Sequence, residues 1–321
     1  MCPLILSTNT AYTRKKKNGL EMVRRQQTTS LLDSTHSSSL TEFYSKHLRE
    51  TNKNMTAPKN YVWNAADYAK NSQNQYQWAK ELIPKLKLKG NEALLDIGCG
   101  NGKITAELSR CLPNGKAVGV DSSAQMIKLA QSTFTKKDYP SLSFQVMDAR
   151  KLAFHEEFDM IFSNAALHWI VDQKTVLVGV QRNLKHGGRL LFQMAGKGNA
   201  QTVLGILDEL LPEEQWKAFF EYFKFPYAFL GPEEYRALLV EAGLKPLRVE
   251  LFPKEMKHAG AEGLAGWVRT TWLPYTERLP VEKRDLFVKE IVDRYLKNHP
   301  ADADGAVHLG MMRLEVEATK P

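Results

Sequence analysis

The sequence predicts an α/β fold in which a parallel sheet carries helices on both faces. Three observations lead there. Short apolar segments of strand length alternate with amphipathic helical segments. A glycine-rich turn, Gly98-Cys99-Gly100-Asn101-Gly102, joins the first apolar segment to a helix. The next two apolar segments run out at aspartates, Asp121 and Asp148.

Helical spacing starts near Asn64 and is clearest in Trp78, Leu82, Ile83 and Leu86, before Gly90 stops it. A buried strand follows over 93–97. The helix over 104–112 puts Ile104, Leu108 and Cys111 on one face. Strands over 117–120, 142–146, 158–162 and 189–194 are separated by helices over 123–134 and 174–184. Beyond Gly196, helical spacing is expected over 202–211 and 214–223. The helix over 232–242 has Pro232 at its start and Gly243 just past its end. A strand over 247–252, helices over 262–272 and 283–297, and a strand over 307–318 complete a count of seven strands. Phe287, Ile291 and Tyr295 recur four apart, the spacing of a core-facing stripe.

The 321 residues suffice for one large domain or two small ones. An apolar content of 43% excludes a fully disordered chain. Cys2, Cys99 and Cys111 are too scattered for a disulfide framework or a thiolate metal site. No apolar run reaches the roughly 18 residues of a membrane span. The net charge of +8 invites a nucleic-acid reading, but residues 1–54 hold +5 of it. That segment is basic and rich in Ser and Thr, and is expected to be a disordered tail. An inert extension, a targeting segment and a partner-binding segment are its alternatives. Residues 55–321 carry only +3 and are expected to form the domain. Its core would be 90–196, with a substrate lid and C-terminal strands over 197–321. A cytoplasmic protein without metal, membrane or nucleic-acid partner is the expectation.

Glycines let the backbone turn sharply and approach a ligand. In open parallel sheets, ligands bind at the carboxyl ends of the strands. An acid about 20 residues past such a loop suits ribose hydroxyls, the position of Asp121. The spacing here is G-x-G-x-G rather than the dinucleotide G-x-G-x-x-G, since position 103 is Lys. This counts against a nicotinamide oxidoreductase.

With strand, loop, helix and both acids in place, residues 60–321 resemble the class I S-adenosyl-L-methionine-dependent methyltransferases. The resemblance implies a Rossmann-like, seven-stranded, mostly parallel sheet with a helical lid. It implies that Gly98, Gly100 and Gly102 lie along the cofactor, and that Asp96 orients the loop. Asp121 with Ser122 would bind the ribose, Asp148 and Ala149 would face the adenine, and Asn164 would lie beside the transfer site. Tyr68 joins this cofactor set. Cys99 is expected to be a small filler rather than a nucleophile.

The acceptor turns on proton chemistry. Alcohols and amines usually need a base, whereas a carboxylate, with a pKa of about 4, is already ionised at neutral pH. Asn164-Ala165-Ala166-Leu167-His168-Trp169 does not resemble the Asn/Asp-Pro-Pro-aromatic motif of amino-methylating nucleic-acid enzymes. Trp63-Asn64, Tyr68, Leu167, Trp169 and the stretch from Gly266 to Tyr295 resemble trans-aconitate methyltransferases. Tyr68 with Gln75, and Leu167-His168-Trp169, equally resemble insect juvenile hormone acid methyltransferases. Both relatives esterify small carboxylic acids. The resemblance therefore implies Gln75, His168 and Trp169 as catalytic candidates, and Arg269 and Trp63 as acceptor-binding ones. Tyr68 or Trp169 would face the sulfonium. Leu273-Pro274 stands where trans-aconitate enzymes tend to carry Arg-Pro, and the aromatic lid favours a more apolar acid. Action on a carrier-bound malonyl group and a non-catalytic, methyltransferase-like subunit are the alternatives.

Overall fold

The computed structural model describes residues 73–321. Trp63, Asn64, Tyr68 and the expected tail lie outside the described residues. Helix α1 (Gln73–Leu82) runs into a 3-10 turn, Ile83–Leu86. Strand β1 (Ala93–Ile97), helix α2 (Lys103–Arg110), strand β2 (Lys116–Asp121), helix α3 (Ala124–Thr133) and strand β3 (Leu142–Val146) then alternate. Strand β4 (Phe158–Asn164) leads through the turn Leu167–Trp169 into helix α4 (Gln173–Asn183) and strand β5 (Leu184–Ala195). Helices α5 (Gln201–Leu210) and α6 (Pro232–Glu241) precede strand β6 (Lys245–Ala259). Helices α7 (Gly260–Thr271) and α8 (Val281–Asn298) precede the last strand, β7 (Ala306–Thr319).

The strands form one sheet in the order β3-β2-β1-β4-β5-β7-β6. Strands β1 to β5 run parallel, and β7 lies antiparallel between β5 and β6. This is the expected seven-stranded, mostly parallel sheet. The order reverses at β1, which pairs with β2 on one side and β4 on the other. A crevice at such a reversal is where open α/β sheets bind ligands.

Side-chain alternation explains why both faces are covered. Leu95, Ile97, Val118, Val120, Ile161 and Phe192 pack against α4 and α6 through Val176, Val180, Tyr235 and Leu239. Their neighbours in sequence, Leu94, Ala117, Met160, Phe162 and Leu191, point the other way, toward Leu108 of α2 and Ile127 of α3. A third core lies in the lid. Trp216, Trp267, Trp272, Phe287, Ile291 and Tyr295 pack there with Met256 of β6 and Leu309 of β7. The Phe287, Ile291 and Tyr295 stripe is therefore core, as its spacing implied.

Three expected elements differ, the first being β5, which starts at Leu184 rather than 189. The strand read over 247–252 continues to Ala259, pairing with β7 through Ala259↔Ala306. Its second half alternates buried Met256 and His258 with exposed Glu255 and Lys257, a ribbon with one wet face. The helix read over 214–223 shrinks to one turn, Lys217–Phe220. Tyr222 adopts a φ of +58°, which breaks the helix before 223. Two ion pairs tie the N-terminal segment to the C-terminal strands. Lys85 reaches buried Glu315 of β7 at 2.8 Å, and Lys254 of β6 pairs with Glu81 of α1.

Candidate active site

The glycine loop closes over the carboxyl ends of β1 and β2. The N–H groups of Gly98 and Cys99 both donate to the Val120 carbonyl, at 2.8 and 3.0 Å. Gly98 has a φ of +74°, and a Cβ built there would lie 2.1 Å from the Ala166 Cβ. The loops after β1 and β4 therefore touch at this point, and only a glycine fits. Gly100 has a φ of +53° and open space beside it. A Cβ at Gly102 would strike the Phe144 ring at 2.6 Å.

The acids fasten this loop. Asp121 Oδ2 accepts the Gly100 N–H at 3.0 Å, and Oδ1 accepts the Ser123 N–H at 2.8 Å. Each oxygen keeps further acceptor capacity. Burial raises the Asp121 pKa against the opposing pull of these bonds. Ser122 is exposed beside it, and Ser123 is the residue that caps α3. Asp96 is buried under the loop and accepts Thr105 Oγ1 at 2.7 Å. Burial, with Asp121 close by, pushes its pKa up to about 7. Cys99 is buried, and burial with Asp96 and Asp121 raises its thiol pKa far out of the nucleophilic range. Asp148 caps the short turn Ala149–Lys151 and is gripped by Arg150, whose Nε meets both carboxylate oxygens at 3.0 and 3.1 Å. That pairing holds the Asp148 carboxyl below its usual range. Ala149 is buried beside it.

At the end of β4, Ser163 Oγ donates to the Ile97 carbonyl at 2.7 Å, locking β4 to β1. Asn164 Nδ2 donates to the Gln75 carbonyl at 3.1 Å. The Gln75 Oε1 and Asn164 Oδ1 atoms are buried without a partner. Ala165 adopts a φ of +56°, a conformation that costs a non-glycine residue roughly 1–3 kcal/mol.

The chain has counterparts among known proteins. A methyltransferase-domain family model matches residues 88–243. An uncharacterized methyltransferase of Schizosaccharomyces pombe is 35% identical over 199 residues, 60% of this chain and 74% of that protein. The chain is a class I S-adenosylmethionine-dependent methyltransferase. A trans-aconitate 2-methyltransferase of Rhizobium etli is 28% identical to the methyltransferase over 265 residues, 81% of this chain and 99% of that protein. The structure of the YcgJ protein from Bacillus subtilis shares the fold, with a TM-score of 0.50 at 17% identity, over 76% of this chain and 98% of that one.

The methyltransferase places His168 and Trp169 in the turn just after the β4 loop. Gln173 holds this turn from below, donating Nε2 to the carbonyls of Leu167 and Ile170 at 2.7 and 2.6 Å. Tyr235 donates to Gln173 Oε1 at 3.2 Å. His168 is 6% exposed, and its Nδ1 has no hydrogen-bond partner. Burial, and the positive charge of Arg313, hold its pKa well below the usual imidazole value. Trp169 is half-buried and meets Tyr227 edge-on at 5.1 Å.

Arg313 is the cation that spacing did not reveal. It is 3% exposed on β7, opposite Ala195 at the carboxyl end of β5, and lies over the Trp78 ring of α1 at 5.3 Å. Arg269 is instead exposed on α7, between buried Val268 and Thr270. The structure thus brings Gln75, Asp96, Asp121, Asn164 and His168 to the crevice end of the sheet, and leaves Arg269 on the outside of the lid. An arginine interrupting a short apolar run in the final strand, Met311-Met312-Arg313-Leu314, was the available signal. The Gln173–Tyr235 clamp had none.

Proposed function

We propose that this methyltransferase esterifies the carboxylate of a small-molecule acid. The observation that carries the reading is the neutral, buried His168 beside buried Arg313. An imidazole with so low a pKa is a poor base for an alcohol or ammonium acceptor. A buried guanidinium favours an acceptor that is already an anion. Relatives named trans-aconitate 2-methyltransferase support an acid acceptor.

S-adenosyl-L-methionine supplies an electrophilic methyl group on a sulfonium. The chain's residues fit that cofactor on two counts. The unpartnered oxygens of Gln75 and Asn164 call for donors, such as the ammonium of its methionine portion. The open backbone at Gly100 and the spare lone pairs of Asp121 suit a close-lying ribose. Asp121 with Ser122 would then hold the ribose, Asp148 and Ala149 the adenine, and Gly98, Gly100 and Gly102 the tail. Asp96 supports the loop from beneath. Tyr68 and Trp63 complete the proposed set from outside the described residues.

Little proton chemistry is left for the protein. Positioning alone can supply much of the rate by holding nucleophile and methyl in line. Trp169 would border the sulfonium with its ring face, while Gln75, His168 and Arg313 orient the carboxylate. The buried aromatic lid, with Leu273 half-buried in place of an arginine, favours an acid more apolar than a tricarboxylate.

Calorimetry with S-adenosylhomocysteine tests the cofactor half. Wild type should bind, and Asp121→Ala should lose at least about tenfold in affinity, the order expected from losing charge-assisted bonds. A panel of small acids with labelled methyl donor tests the other half. Transfer to amines or phenols alone would refute it.

A further inference from the structure

Polar aromatic groups in the lid fall into two sets. Trp216 donates its Nε1 to Glu290 at 3.1 Å, Tyr295 its hydroxyl to the His308 carbonyl at 2.6 Å, and Tyr227 its hydroxyl to the Thr271 carbonyl at 3.0 Å. Trp267 and Trp272 are different. They are 1% and 2% exposed, and neither indole N–H has an acceptor. His258, at the end of β6, is 7% exposed, and its Nε2 is also without a partner.

These groups form a continuous path of rings. His258 lies 5.6 Å from Trp267, and Trp267 lies 5.8 Å from Trp272. Trp272 lies 5.6 Å from Tyr227, which stands 5.1 Å from Trp169 and 6.4 Å from His168. The unsatisfied donors are therefore connected to the turn that borders the transfer site. Buried donors in native proteins are nearly always matched. Two in one cluster, beside satisfied neighbours, point to a ligand that supplies the acceptor.

The chemistry of that acceptor follows from charge. An indole N–H donates and cannot accept. Burial holds His258 neutral, with a pKa pushed down to about 4. Trp267, Trp272 and His258 thus offer no full positive charge, and a second carboxylate among them would stay unpaired. A neutral oxygen, as in a ketone, ester or ether, needs only a donor.

We propose that the indole N–H groups of Trp267 and Trp272 form a distal subsite that reads a neutral oxygen carried on the apolar body of the acid acceptor. This rests on the carboxylate reading above for its orientation. The carboxylate end would lie by His168 and Trp169, and the oxygen-bearing segment along the ring path.

The test uses the full chain with labelled methyl donor. Decanoate is compared with its 4-, 6- and 8-oxo derivatives, which differ by one neutral oxygen. At least one oxo acid should exceed decanoate in kcat/KM by about fivefold to tenfold, the gain from one satisfied bond. Trp272→Phe or Trp267→Phe should bring that ratio close to one, since phenylalanine keeps the ring and lacks the N–H. Trp216→Phe should leave the ratio as it is. Equal values for decanoate and all three oxo acids, or a preference that survives both variants, would overturn the proposal. Methylation of none of the acids would count against the carboxylate reading. Calorimetric binding of the same pairs with S-adenosylhomocysteine then decides the subsite separately. An oxo preference lost in Trp272→Phe or Trp267→Phe supports it, and no binding or no preference overturns it.

Discussion

A Cβ on Gly98 would stand 2.1 Å from the Cβ of Ala166. The loop after β1 and the loop after β4 thus meet where the sheet order reverses, and their contact shapes the proposed cofactor floor. Gly98→Ala must push these loops apart and place alanine at a φ of +74°. A stability loss of roughly 1–3 kcal/mol is expected from overpacking and backbone strain. Urea denaturation measures that loss, and calorimetry should show weaker S-adenosylhomocysteine binding.

Asp96 gives the fold a pH signature. Its folded pKa is about 7, above the usual aspartate value near 4. Between these values the native state keeps a proton that the unfolded chain releases. Its contribution to stability is therefore full below about pH 4 and declines as pH rises through 7. Asp96→Asn should flatten the profile of unfolding free energy between pH 4 and 7. An identical slope in both proteins would contradict the assignment.

The turn bearing His168 and Trp169 depends on Gln173. Gln173→Leu would take the side-chain donor from the Ile170 carbonyl and leave the Leu167 carbonyl with only the Ile170 N–H, at a cost of about 1–3 kcal/mol. Tyr235→Phe removes one longer bond and should cost less. Both should raise the acceptor KM more than they weaken S-adenosylhomocysteine binding, because the turn lies on the acceptor side of the proposed site.

His308 fastens the outer end of the β6–β7 ribbon. Its ring nitrogens face Asp302 at 2.7 Å and Glu255 at 3.0 Å, and these carboxylates raise its pKa. The clamp is strongest below the unfolded histidine pKa and weakens as pH rises through the higher folded value. NMR titration should show a raised His308 pKa that falls back toward the usual value in Asp302→Asn. Hydrogen-exchange protection at the ribbon end, taken relative to the intrinsic base-catalysed rate, should fall at alkaline pH in wild type, and less so in His308→Gln.

Much of this was legible because parallel strands buried on both faces read as plain apolar runs. Leu94-Leu95-Asp96-Ile97 needs no partner to be recognised as β1, and the aspartates at the next strand ends sit in line with the glycine loop. The second half of β6 was hidden because Lys254, Glu255 and Lys257 interrupt the apolar run, leaving only Met256 and a histidine, His258, on the buried face. The clamp on the turn bearing His168 and Trp169 was hidden for a different reason. Gln173 and Tyr235 are 62 residues apart and meet only through tertiary packing. Arg269 looked suitable because it lies among lid aromatics, yet the helix turns Trp267, Val268 and Thr270 inward and leaves it outside. Arg313 required knowing that β7 inserts antiparallel beside β5, which brings it to the crevice end of the sheet.

The central claim is transfer to an ionised carboxylate, and the product's bond tests it most directly. After reaction with methyl-labelled cofactor and the acid panel, the label should be released as methanol by mild alkali, as a methyl ester requires. Label that survives this treatment as an N-methyl amine or an aryl methyl ether would contradict the account.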